Sequence, residues 1–254
     1  MINLFKKLKN DKQYEQTIPF NHENKPLMIA HRGLSGILSE NTIPAFKLAG
    51  KHTYYGIETD LHATIDNKYV IIHDETTAKT SNTNINVEKS TYAQVKNIIL
   101  NDLKTNKPDI TLRIPLLEDY IKICKKYNKV CILELKSNFT ETQLIDIIEI
   151  IYHLDYLDNV IFISFILNNL TTLRKLLPKQ KLQYLLSDFN EQVFQTLKKY
   201  NLDLDIRYLD LTPAIAEMVK KENIQINCWT VDTIEDANRM AQLGVDYITT
   251  DILE

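Results

Sequence analysis

Cysteine is scarce in this chain: Cys124, Cys131 and Cys228 are the only three among 254 residues. They form no CxxC pair, and an odd number cannot complete a disulfide framework. Each stands among apolar neighbours, so three reduced core thiols are expected. Positive charge is not in excess either, because 30 Lys and Arg stand against 33 Asp and Glu for a formal net charge of -3. No general basic field exists to hold nucleic acid or an anionic membrane, and any anion must be caught by a local site. Long apolar runs are missing, and no stretch approaches the ~20 residues of a membrane span. The N-terminal MINLFKKLKNDKQYEQ has too short an apolar run and too many charges for a secretory signal. A cytoplasmic location without stable membrane insertion is therefore expected. No repeat, linker or low-complexity tract divides the chain.

What is present is enough to build a core. With 44% apolar side chains over 254 residues, a single domain spanning 1–254 is expected. Within it, 1–26 reads as an N-terminal extension. Leu4, Phe5 and Leu8 with Lys6, Lys7 and Lys9 suggest a short amphipathic helix there. It is expected to be solvated and packed on the domain, the alternative being contact with a membrane surface.

Short apolar, β-branched runs alternate with segments of helical period, the pattern of a parallel sheet wrapped in helices. Strands are expected at Leu27–His31, Gly56–Asp60, Tyr69–His73, Val130–Leu135, Val160–Phe165, Leu182–Ser187, Leu204–Tyr208, Ile226–Val231 and Tyr247–Thr250. Helices are expected at Thr42–His52, Pro115–Tyr127, Glu141–Leu154, Asn168–Leu177, Glu191–Tyr200, Pro213–Asn223 and Ile234–Leu243, several behind a Ser, Thr, Asp or Asn cap. The fold class is α/β, a (β/α)8 TIM barrel with a small insertion after the third strand, about 75–113. That insertion is polar, rich in Asn and Thr, with one helical piece at Thr91–Leu100. The strand candidates exceed the eight places of a barrel by one; Leu204–Tyr208 is one candidate for the connector or extra strand, and the choice among the nine stays open at this point.

In such a barrel the reacting groups stand at the C-terminal ends of strands. The first expected strand ends in His31-Arg32-Gly33, the second in Glu58-Thr59-Asp60, the third in His73-Asp74 and the fourth in Glu134-Leu135-Lys136. An E-x-D on one strand is a weak signal, since such pairs are commonly solvated or salt-bridged. The coincidence at successive strand ends carries the weight. Residues i and i+2 of a strand share a face, so Glu58 and Asp60 can point together into the mouth, with Glu134 completing a triangle. Three carboxylates without a thiolate suit a hard divalent cation such as Mg²⁺ or Ca²⁺. His31 and His73 have the side chain suited to proton transfer near neutral pH, while Arg32 and Lys136 can pair with phosphate oxygens. A strand-end histidine taken alone is more often structural, and Lys136 can simply neutralise an acid. That bland account has to explain all four strands together.

These residues resemble the glycerophosphodiester phosphodiesterase family. The resemblance runs through His31-Arg32-Gly33, Glu40-Asn41-Thr42 with Ala45-Phe46, Glu58-Thr59-Asp60, Thr64 and His73-Asp74. It continues through Ile114-Pro115, Leu117-Glu118, Glu134-Leu135-Lys136, Ser164-Phe165, Trp229-Thr230-Val231-Asp232 and Gly244–Asp251. It implies an enzyme, a phosphoric diester hydrolase of lipid and glycerol metabolism, in which His31 and His73 act as acid and base. Glu58, Asp60 and Glu134 would hold a Mg²⁺- or Ca²⁺-type ion, and Arg32 and Lys136 would take the phosphate. Glu40 and Asn41 would support the site, and Trp229 would form an aromatic wall of the substrate pocket or else serve as a core aromatic. The substrate implied is a small glycerophosphodiester, such as glycerophosphocholine or glycerophosphoethanolamine, giving glycerol 3-phosphate and an alcohol.

Ser39, Asn67 and Lys79 depart from the residues usual in the family, and none of them touches the proposed metal or proton-transfer groups. Lys79 and the insertion bear on substrate choice. His22, His52, His62 and His153 have no comparable setting; His62 shares the strand face of Glu58 and Asp60, which offers an approach to the rim as the alternative, but a solvated or structural role is expected for each. Two alternatives stand beside this reading. A membrane-interface barrel lipase of the phospholipase D or phosphoinositide phospholipase kind calls for an exposed apolar rim, which the polar Thr76–Asn86 stretch does not supply. A catalytically silent, phosphate-ester-binding barrel calls for the loss of a histidine or a carboxylate.

Overall fold

A computed structural model describes residues 14–254; the amphipathic stretch around Leu4, Phe5 and Leu8 lies outside the described residues. The strands are β1 (Leu27–Ala30), β2 (Gly56–Ala63), β3 (Tyr69–Ile71), β4 (Val130–Leu135), β5 (Val160–Ser164), β6 (Lys181–Leu186), β7 (Asp203–Arg207), β8 (Ile226–Trp229) and β9 (Tyr247–Thr250). The helices are α1 (Ile43–Lys51), α2 (Tyr92–Val95), α3 (Leu117–Tyr127), α4 (Glu141–His153), α5 (Leu167–Leu176), α6 (Glu191–Tyr200), α7 (Pro213–Lys221) and α8 (Ile234–Leu243).

Eight strands close a parallel barrel in the order β1-β9-β8-β7-β6-β5-β4-β2, and pairing of β1 with β2 completes the ring. Closure removes sheet edges, and the short β-branched strands find both faces covered. Ile29, Ile132, Ile161, Ile163, Leu185 and Tyr247 fill the barrel interior. The main apolar layer lies between strands and helices, with Phe46, Ile57, Tyr120, Leu133, Leu144, Leu204 and Ile248 all buried in it. Thr42, Thr140, Asn190, Thr212 and Thr233 cap their helices by accepting a backbone N–H, which fixes where each βα loop ends.

Two expectations are corrected here. Leu204–Tyr208 is no extra strand: β7 pairs in register with both β6 and β8 as a full barrel member. The strand outside the barrel is β3, which runs antiparallel on the end of β2 with Leu61 opposite Ile71 and Ala63 opposite Tyr69. β2 runs beyond its last pairing with β4 at Leu61 and turns at Thr64–Lys68, and the chain then comes back down. His73 therefore does not stand at the end of a third barrel strand. It reaches the rim on a returning hairpin, one residue past Ile72, whose N–H donates to the Asp60 carbonyl.

The insertion builds a satellite core of its own from Val87, Val95, Ile98, Leu100, Leu112 and Ile114, packed against Val70 and Ile72. The helix expected over Thr91–Leu100 is confined to the single turn Tyr92–Val95. Beyond it the chain turns so that Ile98 and Leu100 both reach this core, and tertiary burial overrides local helical period. One buried acid stands out inside the ring. Asp205 on β7 lies level with Leu185 and Asn227, is 1% exposed, and leaves Oδ1 without a hydrogen-bond partner.

Candidate active site

The first loop is shaped by two left-handed residues. Arg32 has φ 54° and Gly33 φ 79°. A Cβ on Gly33 would lie 2.8 Å from the Ala45 carbonyl carbon, so both conformation and space require glycine. This sharp turn aims the Arg32 N–H at Glu58 Oε2, 2.8 Å away. It also brings the Arg32 guanidinium to Glu40 at 3.0 Å and Asp60 at 3.4 Å.

Glu58 and Asp60, two apart on β2, lie with Glu134 of β4 so that one carboxylate oxygen from each falls within 4.8 Å of the others. Register explains the meeting, since Asp60 and Glu134 are direct partners in the β2–β4 ladder. All three are at least 94% buried. Burial, followed by the nearby Asp60 charge, drives the Glu58 carboxyl well above its ordinary value and pushes Glu134 up to about 8. Burial also opposes ionisation of Asp60. There it is outweighed by Arg32, His73 and Lys136 and by the hydrogen bond from Asn41, and the carboxyl falls below the usual carboxylate range. Asn41 Nδ2 donates to Asp60 Oδ2 at 2.7 Å, while its Oδ1 accepts from the Thr59 hydroxyl at 2.7 Å. Asp60 Oδ1 is left with no hydrogen bond.

An orphaned buried oxygen beside two acids that burial disfavours as anions is a donor set short of a cation. Three oxygen ligands without sulfur fit a hard divalent ion. Glu58, Asp60 and Glu134 together can hold one.

His31 comes near Glu58 and His73 interacts with Asp60, and the two rings have similar hydrogen-bonding settings. His31 Nδ1 is 2.6 Å from Asp251 Oδ1, and its Nε2 lies 4.0 Å from Glu58 Oε2. His73 Nδ1 is 2.6 Å from Asp74 Oδ1. In each case a carboxylate takes Nδ1 and fixes the ring, leaving Nε2 for chemistry. Burial lowers the affinity of His73 for its proton, and Arg32 and Lys136 act in the same direction against Asp60. Lys136 Nζ reaches Glu134 at 3.0 Å and Asp60 Oδ1 at 3.7 Å. Glu40 holds Arg32 on one side and Lys79 Nζ, at 2.9 Å, on the other. Trp229, at the end of β8, is half-buried against the barrel interior and meets the Phe165 ring edge-on at 5.7 Å.

The sequence reading named Asp74 and Asp251 within their motifs but gave neither a role in the site. Both carried a signal: Asp74 is adjacent to His73, and Asp251 directly follows β9, where the strand-end reasoning applied to the first four strands also holds. Of the remaining histidines, His62 takes the buried, structural half of its expectation, at 2% exposure with both ring nitrogens on protein partners. His52 pairs with Glu254 at 2.7 Å.

One mouth of the closed (β/α)8 barrel thus carries three carboxylates able to hold a cation and two histidines held at Nδ1 by carboxylates, an arrangement equipped for metal-assisted acid–base chemistry. The sequence profile of the Glycerophosphoryl diester phosphodiesterase family matches residues 31–254. A glycerophosphodiester phosphodiesterase of Caldanaerobacter subterraneus subsp. tengcongensis is 33% identical over 230 residues, covering 89% of this chain and 94% of that protein. The crystal structure of a glycerophosphodiester phosphodiesterase from Parabacteroides distasonis superposes with a TM-score of 0.73 at 28% identity, covering 93% of this chain and 94% of that one. A phosphodiesterase of Oleispira antarctica, solved in complex with the product sn-glycerol-3-phosphate, shares the fold with a TM-score of 0.81 at 22% identity, covering 89% and 93%. The chain belongs to the glycerophosphodiester phosphodiesterase family, a family of hydrolases. Among the described residues, no helix is long and apolar enough to cross a membrane.

Proposed function

We propose that this chain is a single catalytic domain that hydrolyses small glycerophosphodiesters, such as glycerophosphocholine or glycerophosphoethanolamine, to glycerol 3-phosphate and the free alcohol. The observation that carries the reading is the convergence of Glu58, Asp60 and Glu134 within 4.8 Å at the mouth that also holds His31 and His73. A Mg²⁺- or Ca²⁺-type ion held by the three carboxylates would supply charge neutralisation at the phosphate.

The protein's own groups do the rest. Arg32 and Lys136 bind non-bridging phosphate oxygens, Arg32 kept in place by Glu40 and Asp60. The glycerol hydroxyl next to the phosphate attacks phosphorus as one histidine accepts its proton at Nε2. The other donates its proton to the departing alcohol oxygen as the P–O bond breaks. Water then opens the resulting cyclic phosphate with the two roles exchanged, and both histidines return to their starting states. Asn41 orients Asp60, and Trp229 forms one wall for the substrate. The proposed setting is cytoplasmic glycerol and lipid metabolism, with small molecules rather than nucleic acid as partners, in keeping with a formal net charge of -3.

One observation favours a second reading in which the alcohol carries an apolar part. Phe165, Leu209 and Ile234, in or next to the loops after β5, β7 and β8, are 44%, 63% and 39% exposed. They supply an apolar edge along these loops that the polar Thr76–Asn86 stretch does not.

A coupled assay for glycerol 3-phosphate tests the proposal. Glycerophosphocholine is expected to turn over, EDTA to abolish turnover, and added Mg²⁺ or Ca²⁺ to restore it. Release unaffected by chelation rejects the metal role. Turnover of a lysophospholipid with none of the deacylated diesters rejects the substrate class in favour of the second reading.

A further inference from the structure

We infer that His62 is a positioning residue for His73, and that Glu88 of the insertion holds it in that task. The inference rests on the proton-transfer role proposed for His73. His62 stands on the part of β2 that runs beyond the barrel, opposite Val70 of β3. Its Nε2 lies 3.1 Å from the His73 carbonyl oxygen, and its Nδ1 lies 2.8 Å from Glu88 Oε1. A carbonyl oxygen only accepts, so Nε2 is the donor in the contact with His73. Ser137, just past β4, donates to the same Glu88 oxygen at 2.6 Å and lies 3.5 Å from His62 Nδ1. The Ser137 hydroxyl in turn accepts the Ala63 N–H at 3.3 Å.

The network sits where the backbone ladder ends. β3 stops at Ile71, and the last rung is the Ile72 N–H on the Asp60 carbonyl, 3.1 Å. The next carbonyl, that of His73, has the His62 ring as its partner. A side chain thus adds one more rung to the hairpin at the residue that must place its imidazole beside the acid cluster. His73's own ring is 30% exposed and is held at Nδ1 by Asp74, so its aim depends on the backbone beneath it. Both ring nitrogens of His62 are taken by protein partners, Glu88 and the His73 carbonyl, which leaves neither for substrate. Buried polar networks that are satisfied at each member fix geometry, and misplacing a reacting group by about an ångström can cost two orders of magnitude in rate.

Steady-state kinetics of the full-length, Mg²⁺-loaded enzyme with glycerophosphocholine test this, with melting temperature recorded for each variant. His62→Leu removes the donor to His73 and is expected to lower kcat about tenfold or more while KM stays within about threefold. His62→Gln keeps an amide N–H for the His73 carbonyl and is expected to recover kcat to within about threefold of the parent. Glu88→Ala, at a partly exposed position that does not endanger folding, is expected to lower kcat by about threefold through a looser ring. Equal kcat losses in the Leu and Gln variants would show that ring shape, and not the donor, matters, and would overturn the inference. So would a His62→Leu enzyme within threefold of the parent while His73→Ala is inactive. If His62→Leu does not fold, unchanged kcat in Glu88→Ala overturns it. Near-normal turnover by His73→Ala removes the proton-transfer reading itself, and the positioning role falls with it, a result distinct from the others.

Discussion

Asp251→Asn isolates the part of the site that residue reading missed. His31 Nδ1 and Asp251 Oδ1 are 2.6 Å apart, a charge-assisted contact once His31 has accepted a proton. Asp251 is itself held in place, accepting from Ser35 Oγ at 2.8 Å and donating its N–H to Asp232 Oδ1 at 2.7 Å. Burial works against the Asp251 charge, but His31 and Ser35 keep its carboxyl below the usual range. Asparagine preserves the shape and can present an N–H to Nδ1, which favours the tautomer whose Nε2 already carries the proton. That ring can no longer accept a proton at Nε2, which His31 must do in one of the two steps whichever histidine acts first. A hydrogen bond to a charged group contributes about 1.5–3 kcal/mol, equivalent to roughly 10- to 150-fold in rate. The side chain is 38% exposed, so solvent screening places the expected loss near the lower end. With glycerophosphocholine and saturating Mg²⁺ in the coupled assay, kcat should fall by about tenfold or more while KM moves less than about threefold. A variant with kcat within twofold of the parent would refute the view that Asp251 sets the tautomer of a reacting His31.

Two further outcomes follow from the same geometry. His31→Ala and His73→Ala should each lower kcat by about a hundredfold or more with the fold intact, checked by kinetics alongside circular dichroism; near-normal rates in either would show its role misassigned. Asp205 offers a test by pH, because burial, only partly offset by its hydrogen bond with Asn227, pushes its carboxyl up to about 8. Between pH 4 and pH 8 the folded chain keeps a proton that the unfolded chain has released, so this group makes stability fall as pH rises through that window. Asp205→Asn should therefore melt a few degrees above the parent at pH 8 and show no such gain at pH 4; a difference that does not change with pH would contradict the assignment.

The parts of this architecture that were legible in the sequence are those with a strong local code. Glu58 and Asp60 share a face because strands alternate, and Glu134 was placed with them from its strand end, although its direct pairing with Asp60 depends on β3 lying outside the ring so that β2 and β4 are neighbours. The Gly33 turn and the threonine caps mark their loops directly. β3 misled because three buried residues, Tyr69-Val70-Ile71, have the same apolar signature whether they cross a barrel or fold back on β2. β7 misled for the opposite reason. Asp203, Asp205 and Arg207 alternate with Leu204 and Ile206, which reads as a half-exposed strand, although Asp205 is buried within the ring. The contact of His31 with Asp251 joins residues 220 apart in sequence, and no local pattern encodes it. The burial of His62 depends on Glu88 and Ser137, which reach it from the insertion and from the loop after β4.

The central claim is that a divalent cation binds between Glu58, Asp60 and Glu134, with the two histidines facing the phosphate beside it. Crystals soaked with glycerol phosphate and Mn²⁺, a Mg²⁺ mimic with an anomalous signal, test it most directly. The account predicts one strong anomalous peak within coordination distance of all three carboxylates, with the phosphate between that peak and the His31 and His73 Nε2 atoms. A cation bound elsewhere, or a phosphate seated with neither histidine in reach, would contradict it.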